Sequence, residues 1–153
     1  MSYGGSFKTM RPKQPSNKPF AKKGTRGCKK EKGSITDKEL LKLWRTACLE
    51  RAGYKCEYPE CIVNSTQLHA HHFYSRRIVP LRYDIENSIA LCAYHHTLGP
   101  FAAHKDPDFK DIIIERGARS EAWHQKLIQK KQKIVKNTTA YKLECLEKLR
   151  PWL

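Results

Sequence analysis

Cys56-Glu57-Tyr58-Pro59-Glu60-Cys61, Leu68-His69-Ala70-His71-His72, Asn87 and Cys92-Ala93-Tyr94-His95-His96 decide how this chain reads. Five of its seven histidines and three of its six cysteines fall in this window, which makes it the natural place to look for metal chemistry. Two close pairs of soft ligands, Cys56/Cys61 and Cys92/His95, stand thirty residues apart. Tetrahedral zinc is commonly held by two such pairs, one from a turn and one from a helix start. Each close pair costs little loop entropy, and the metal then closes the long loop between them. A structural Zn²⁺ on Cys56, Cys61, Cys92 and His95 is therefore expected; the bland alternative is a set of unrelated buried cysteines. His71, His72, Asn87 and His96 are surplus to such a site.

Outward from this window, the 153 residues suit one domain with a tail, and the formal charge of +15 points to a polyanionic partner, nucleic acid above all. Residues 1–34 hold ten Lys/Arg and one acid, so +9 of the +15 sits there. That stretch is rich in Gly, Pro, Ser and Lys and poor in large apolar residues, so a disordered basic tail is expected. Such an arm either adds phosphate contacts without reading sequence or merely solubilises. No apolar run is long enough to cross a bilayer, and the N-terminus lacks the apolar core of a signal peptide, so a cytoplasmic protein with no membrane partner is expected. Cysteines without a secretory signal argue for metal ligation over a disulfide framework. Cys48 and Cys145 lie in helical patterns and read as small core residues; Cys28 has no evident partner.

Ser34-Ile35-Thr36-Asp37 opens a helix, with Ser34 or Thr36 as cap and Asp37 and Glu39 suiting the positive end of the dipole. Leu40, Leu41, Leu43, Trp44, Ala47 and Cys48 give its apolar stripe, and Gly53 ends it. Tyr54 to Ser65 reads as a turn, Gln67 to Tyr74 as a short strand, and Ser75 to Asp84 as a basic loop or second strand broken by Pro80. Ser88 to Leu91 leads into a short helix starting near Cys92 and ending at Gly99-Pro100. Phe109 to Glu115 reads as a helix, although Ile112-Ile113-Ile114 also suits a strand. Residues 121–135 form a further helix capped by Ser120, and Asn137-Thr138-Thr139 restarts a last one through Leu149.

The window resembles the HNH, or ββα-metal, endonuclease family. The family's marks are a metal ligand followed at once by a catalytic His, an Asn five residues before a Cys, and a ligand directly after the second member of a C-x2-C pair. Here these are His71-His72, Asn87 before Cys92, and His96 after His95. The resemblance covers residues 36–115. It implies an α+β fold, a small zinc-stabilised ββα-metal core over residues 35–117, flanked by an N-terminal helix and by C-terminal helices over 118–153 that pack on the core or dimerise. It makes His71 and His96 ligands of a catalytic divalent ion, His72 the general base, Asn87 the brace of the loop, and Cys56, Cys61, Cys92 and His95 the zinc ligands. Where the family more often has Cys this chain has His95, so the resemblance leaves both His95 and His96 open as the zinc ligand. The run Leu68-His69-Ala70-His71-His72, Ser75-Arg76-Arg77, Leu81-Arg82-Tyr83-Asp84, Asn87, Leu91-Cys92 and Ala103-His104 is similar in places to the phage NinG/Rap recombination nucleases, which act on branched DNA.

The resemblance implies hydrolysis of DNA, double-stranded or branched, to 5′-phosphate and 3′-hydroxyl ends, with Mg²⁺ or Mn²⁺ as the catalytic ion. Two neutral imidazole ligands also admit Ni²⁺ or Zn²⁺. Protonation would disable base and ligands together, so activity should fall below roughly pH 6. Arg76, Arg77 and Arg82, between base and brace, are candidates for phosphate contact or form a solvated basic loop. His104 is a third ligand, a phosphate contact or a plain loop residue; His69 reads as a strand residue and His124 as a surface one. Adjacent strand residues point to opposite faces, so His71 and His72 can share a site only at a twist or a strand end. The rival readings are a zinc-held DNA-binding protein without catalysis and a phage packaging accessory.

Overall fold

The computed structural model describes residues 34–63, 67–116 and 119–153; the basic tail and Cys28 lie outside the described residues. Helix α1 spans Asp37–Arg51. Thr36 caps it in a full capping box: its Oγ1 accepts from Glu39 N at 3.2 Å, while the Glu39 carboxylate accepts from Thr36 N at 2.8 Å. The helix gives way at Ala52, and Gly53 takes φ of 57°, a conformation a side chain would oppose.

Strands β1 (Leu68–His72) and β2 (Ser88–Cys92) pair antiparallel, with His71 opposite Ile89 and His72 opposite Ser88. The partner of β1 is therefore Ser88–Cys92, and Ser75 to Asp84 is not a strand. Arg76 and Arg77 lie in that loop, which includes the short 3₁₀ turn Val79–Leu81. A π-helical turn follows at Tyr94–Leu98, then α2 (Phe109–Glu115), α3 (Glu121–Lys131) and α4 (Thr139–Leu149). The expected helix start at Cys92 falls two residues later, because Cys92 still completes the ladder opposite Leu68. Helix α3 stops at Lys131 rather than 135, leaving Ile134 fully exposed.

The two-stranded sheet divides two apolar clusters. On one side Leu40, Trp44 and Ala47 of α1 meet Tyr83 and, from α4, Cys145 and Leu149, with Ala70 of β1 packed against them. On the other, Ile89 and Leu91 of β2 meet Phe73, Leu81, Phe109 and Ile113 of α2, and Trp123 and Leu127 of α3. Period-two alternation thus sends His69 and His71 to the α2 side and Ala70 and His72 to the α1 side. A two-stranded hairpin alone is marginal in water, so helices on both faces are what make this sheet stable. Among the described residues no helix is long and apolar enough to cross a membrane.

Irregular backbone between the strands is anchored by side-chain donors. The carbonyls of Val79, Asp84 and Glu86 accept from Tyr141 Oη (3.1 Å), Trp44 Nε1 (3.0 Å) and Trp123 Nε1 (3.0 Å). Asn87, fully buried, closes the loop: its Nδ2 donates to Tyr74 O (2.9 Å) and Leu81 O (3.0 Å), and its Oδ1 accepts from Tyr74 N (2.7 Å). Buried backbone groups without a ladder partner need such donors, and one amide here serves both ends of the loop.

Candidate metal centres

Two clusters of ligand atoms emerge on either side of the His95-His96 step. In the first, one atom each of Cys56, Cys61, Cys92 and His95 lies within 4.8 Å of the others. His95 Nδ1 is 3.3 Å from Cys92 Sγ and 3.7 Å from Cys56 Sγ. Zn–S of about 2.3 Å and Zn–N of about 2.0 Å set tetrahedral edges of roughly 3.5–3.8 Å, so this spacing could hold a structural metal such as zinc. Burial pushes the Cys56 thiol up to about 12, so a thiolate there needs a cation beside it. Cys92 N donates to Cys56 Sγ at 3.3 Å, the kind of outer bond that steadies a ligating thiolate.

Local structure brings these ligands together. Glu57 N donates to Ala90 O (2.8 Å), and the Glu57 carboxylate accepts from Ala90 N (2.8 Å), so the first knuckle is bonded directly to β2. That carboxylate also takes a double contact from Arg51 and one from Arg119 at 3.0 Å. Tyr58 stacks on the His95 ring, centroids 4.0 Å apart, which fixes the ring plane.

In the second cluster, one nitrogen each of His71, His96 and His104 lies within 4.8 Å of the others. His96 Nε2 and His104 Nε2 are 3.2 Å apart, a distance that suits two lone pairs aimed at a shared cation. The turn carrying His104 returns to the site because Ala103 N donates to His95 O at 2.9 Å. Neighbours on a helical turn point in different directions, so His95 faces the thiols and His96 faces His71. The cluster that could hold zinc thus includes His95, and His96 lies in the other. Burial, then the neighbouring imidazoles, hold His71 down to about 3 and His96 down to about 4. Both are therefore neutral, ligand-ready imidazoles well below the pH 6 at which the sequence suggests activity should fail. His69, on the same face, stacks on His96 with centroids 4.9 Å apart.

His72 stands outside this cluster. The strand is regular through His72, so its ring leaves on the opposite face from His71. It stacks on Trp44, centroids 3.8 Å apart and planes 11° from parallel, and its Nε2 donates to Arg82 O at 2.9 Å. A carbonyl only accepts, so Nε2 carries the proton and Nδ1 presents a lone pair. Burial lowers the His72 pKa most; the bond to the Arg82 carbonyl opposes this, and the charges of Arg76 and Arg82 add to the lowering.

Of the loop arginines, Arg76 and Arg77 are exposed, whereas Arg82 is engaged by Arg76 O (2.8 Å) and the Asp37 carboxylate (3.2 Å). Its guanidinium is therefore partly committed to the fold. His124, expected at the surface, is half-buried, its side chain 20% exposed, with Nε2 2.7 Å from the Tyr74 hydroxyl. The stacking of Trp44 on His72 is a contact that no local pattern announces. No protein-family model, curated protein or solved structure matches this chain.

Proposed function

We propose that this chain is a metal-dependent endonuclease of the HNH type that hydrolyses DNA phosphodiester bonds. The observation that carries the reading is the junction at the end of β1: three convergent imidazoles, with an imidazole of fixed tautomer on the next residue. His72 is the last residue of β1, so a phosphate lying across the strand end meets both faces. His71, His96 and His104 would hold the catalytic ion, Mg²⁺ or Mn²⁺ or a softer divalent metal. Such an ion, when bound, supplies charge neutralisation at the phosphate and the leaving 3′ oxygen.

His72 supplies the base. Its Nε2–H is held by the Arg82 carbonyl, and its ring by Trp44, so Nδ1 is the atom that takes the proton of the attacking water. The lowered pKa keeps that nitrogen unprotonated at neutral pH. Asn87 acts through the loop, holding the segment from which the Arg82 carbonyl is presented. Arg76 and Arg77 are free to meet phosphate oxygens, with Arg82 as a weaker partner because of Asp37. Cys56, Cys61, Cys92 and His95 hold the structural zinc that keeps this frame together.

The test is plasmid nicking with Mn²⁺ or Mg²⁺ by wild type and His72→Ala. Metal-dependent cleavage by the wild type that His72→Ala loses is expected; no cleavage, or equal cleavage by both, sinks the mechanism. Preference for a four-way junction over linear duplex would place the enzyme in recombination. The rival, a zinc-held DNA-binding module without catalysis, is favoured by one observation: His72 leaves β1 on the face opposite the other three imidazoles. The same assay separates the two.

A further inference from the structure

Beyond the histidines the chain builds a second basic feature, apart from the loop arginines. Tyr74 lies three residues after His71, at most about 10 Å further along extended chain. Asn87 grips its backbone on both sides, and its hydroxyl bonds His124 Nε2 at 2.7 Å. Glu121 Oε2 lies 3.6 Å from His124 Nδ1, beyond hydrogen-bond distance, so the tyrosine hydroxyl is tied to His124 through Nε2 alone. The ring is thus a fixed platform.

Two lysines from different helices come to it. Lys110 Nζ of α2 is 4.7 Å from the Tyr74 ring centroid, and Lys131 Nζ of α3 is 5.0 Å from it. Lys110 also lies 5.6 Å from the Phe73 ring. Both are exposed, and among the described residues neither has a carboxylate partner, whereas Lys130, Lys142 and Lys148 are each paired with an acid. Two ammonium groups within about 5 Å of one ring centroid concentrate positive charge at Tyr74, and an anion beside the ring would offset it.

We propose that Lys110, Lys131 and Tyr74 form a subsite for the phosphodiester backbone flanking the phosphate at the histidines. The subsite rests on the nucleic-acid substrate of the proposed function but not on catalysis. DNA and RNA share this chemistry, so both are tested.

The zinc-loaded full chain, without added Mg²⁺ or Mn²⁺, is titrated against labelled DNA and RNA duplexes of about 20 base pairs between roughly 50 and 200 mM salt, read by anisotropy. Lys110→Ala/Lys131→Ala should lower the slope of log K against log salt by about 2 and weaken binding on the order of tenfold. Lys110→Arg/Lys131→Arg should keep the slope. The control Lys38→Ala/Lys55→Ala, which removes the same charge from exposed positions elsewhere, should change it by less than about 0.5. A loss with DNA, RNA or both supports the subsite and names the polymer. A slope matching that of the control overturns the subsite alone. No binding by the wild type overturns both the subsite and the nucleic-acid reading. Absent nicking with the slope loss intact overturns hydrolysis and leaves the subsite standing.

Discussion

The two ligand clusters share the His95-His96 step and differ in how each is held. The cysteine cluster is the more enclosed: Cys92 is fully buried, His95 is buried, Cys56 and Cys61 are partly exposed, and a stacked tyrosine and a backbone N–H support the ligands. The imidazole cluster is open on one side, where His104 is exposed. Structural zinc sites fill all four positions from the protein, while catalytic sites keep room for water or substrate. One backbone step therefore divides a more enclosed ligand cluster from a more open one.

The largest effect should come from breaking the enclosed site. If zinc occupies the cysteine cluster, Cys92→Ser should abolish zinc binding and the cooperative thermal transition, because one ion would then tie the Cys56–Cys61 turn, β2 and the π-helical turn together. Circular dichroism melts with zinc analysis check this. A variant that melts within about 5 °C of wild type would erase the structural role assigned to the cluster.

The open site should respond in the opposite sense, losing chemistry while keeping the fold. His72→Ala is expected to cut metal-dependent nicking by about 10²–10⁴-fold while leaving Mn²⁺ binding in place, since His72 is outside the three-imidazole cluster. His71→Ala should lose Mn²⁺ binding as well as nicking, on the order of 100-fold or more, with the melting temperature within a few degrees. Calorimetric Mn²⁺ titration beside the nicking assay separates the two roles. Should His72→Ala lose the ion and His71→Ala keep it, the assignment of base and ligand is reversed. His104→Ala, which removes the exposed ligand, should cost less, about tenfold in Mn²⁺ affinity.

These contrasts also mark what could be read without the fold. The capping box at Thr36 and Glu39 and the Leu40, Trp44, Ala47, Cys48 stripe are local patterns, and local patterns survive into structure. The close ligand pairs were legible for the same reason, since their spacing is set by a turn. His104 admits several readings from sequence because its place depends on the bond from Ala103 to His95, which brings a distant turn back. The resemblance gives His95 to the zinc set and His96 to the other ion but leaves the step open; the rotation between neighbours on the helical turn puts each histidine in a different cluster. The half-burial of His124 has no local signal because its partner, Tyr74, lies fifty residues away. On α3 His124 stands three residues before Leu127 and four before Ile128, so the helix period puts it at the edge of the apolar face, and only the partner on another element settles its burial.

Acid gives the last and smallest effect, and it sharpens the comparison further. His71 and His96 are held down to about 3 and about 4, against an ordinary value of 6.5. Above 6.5 neither folded nor unfolded chain protonates them, so they add nothing to the pH dependence there. Between 6.5 and the lowered values the unfolded chain takes up protons that the fold refuses, so stability falls as pH falls through that window. In the folded protein the same two nitrogens stay free of protons, so between pH 7.5 and 5 Mn²⁺ affinity at the imidazole cluster should fall by no more than about tenfold in all, the cost assigned to losing the exposed His104. The cysteine cluster should behave otherwise, because every ligating thiol must give up its proton, and zinc affinity there should drop steeply over the same range. Parallel titrations of Mn²⁺ and zinc across that range read both slopes. A Mn²⁺ affinity that falls tenfold per pH unit would mean that the imidazoles are solvated like free histidines, and the burial that distinguishes His71 from His104 would not govern the site.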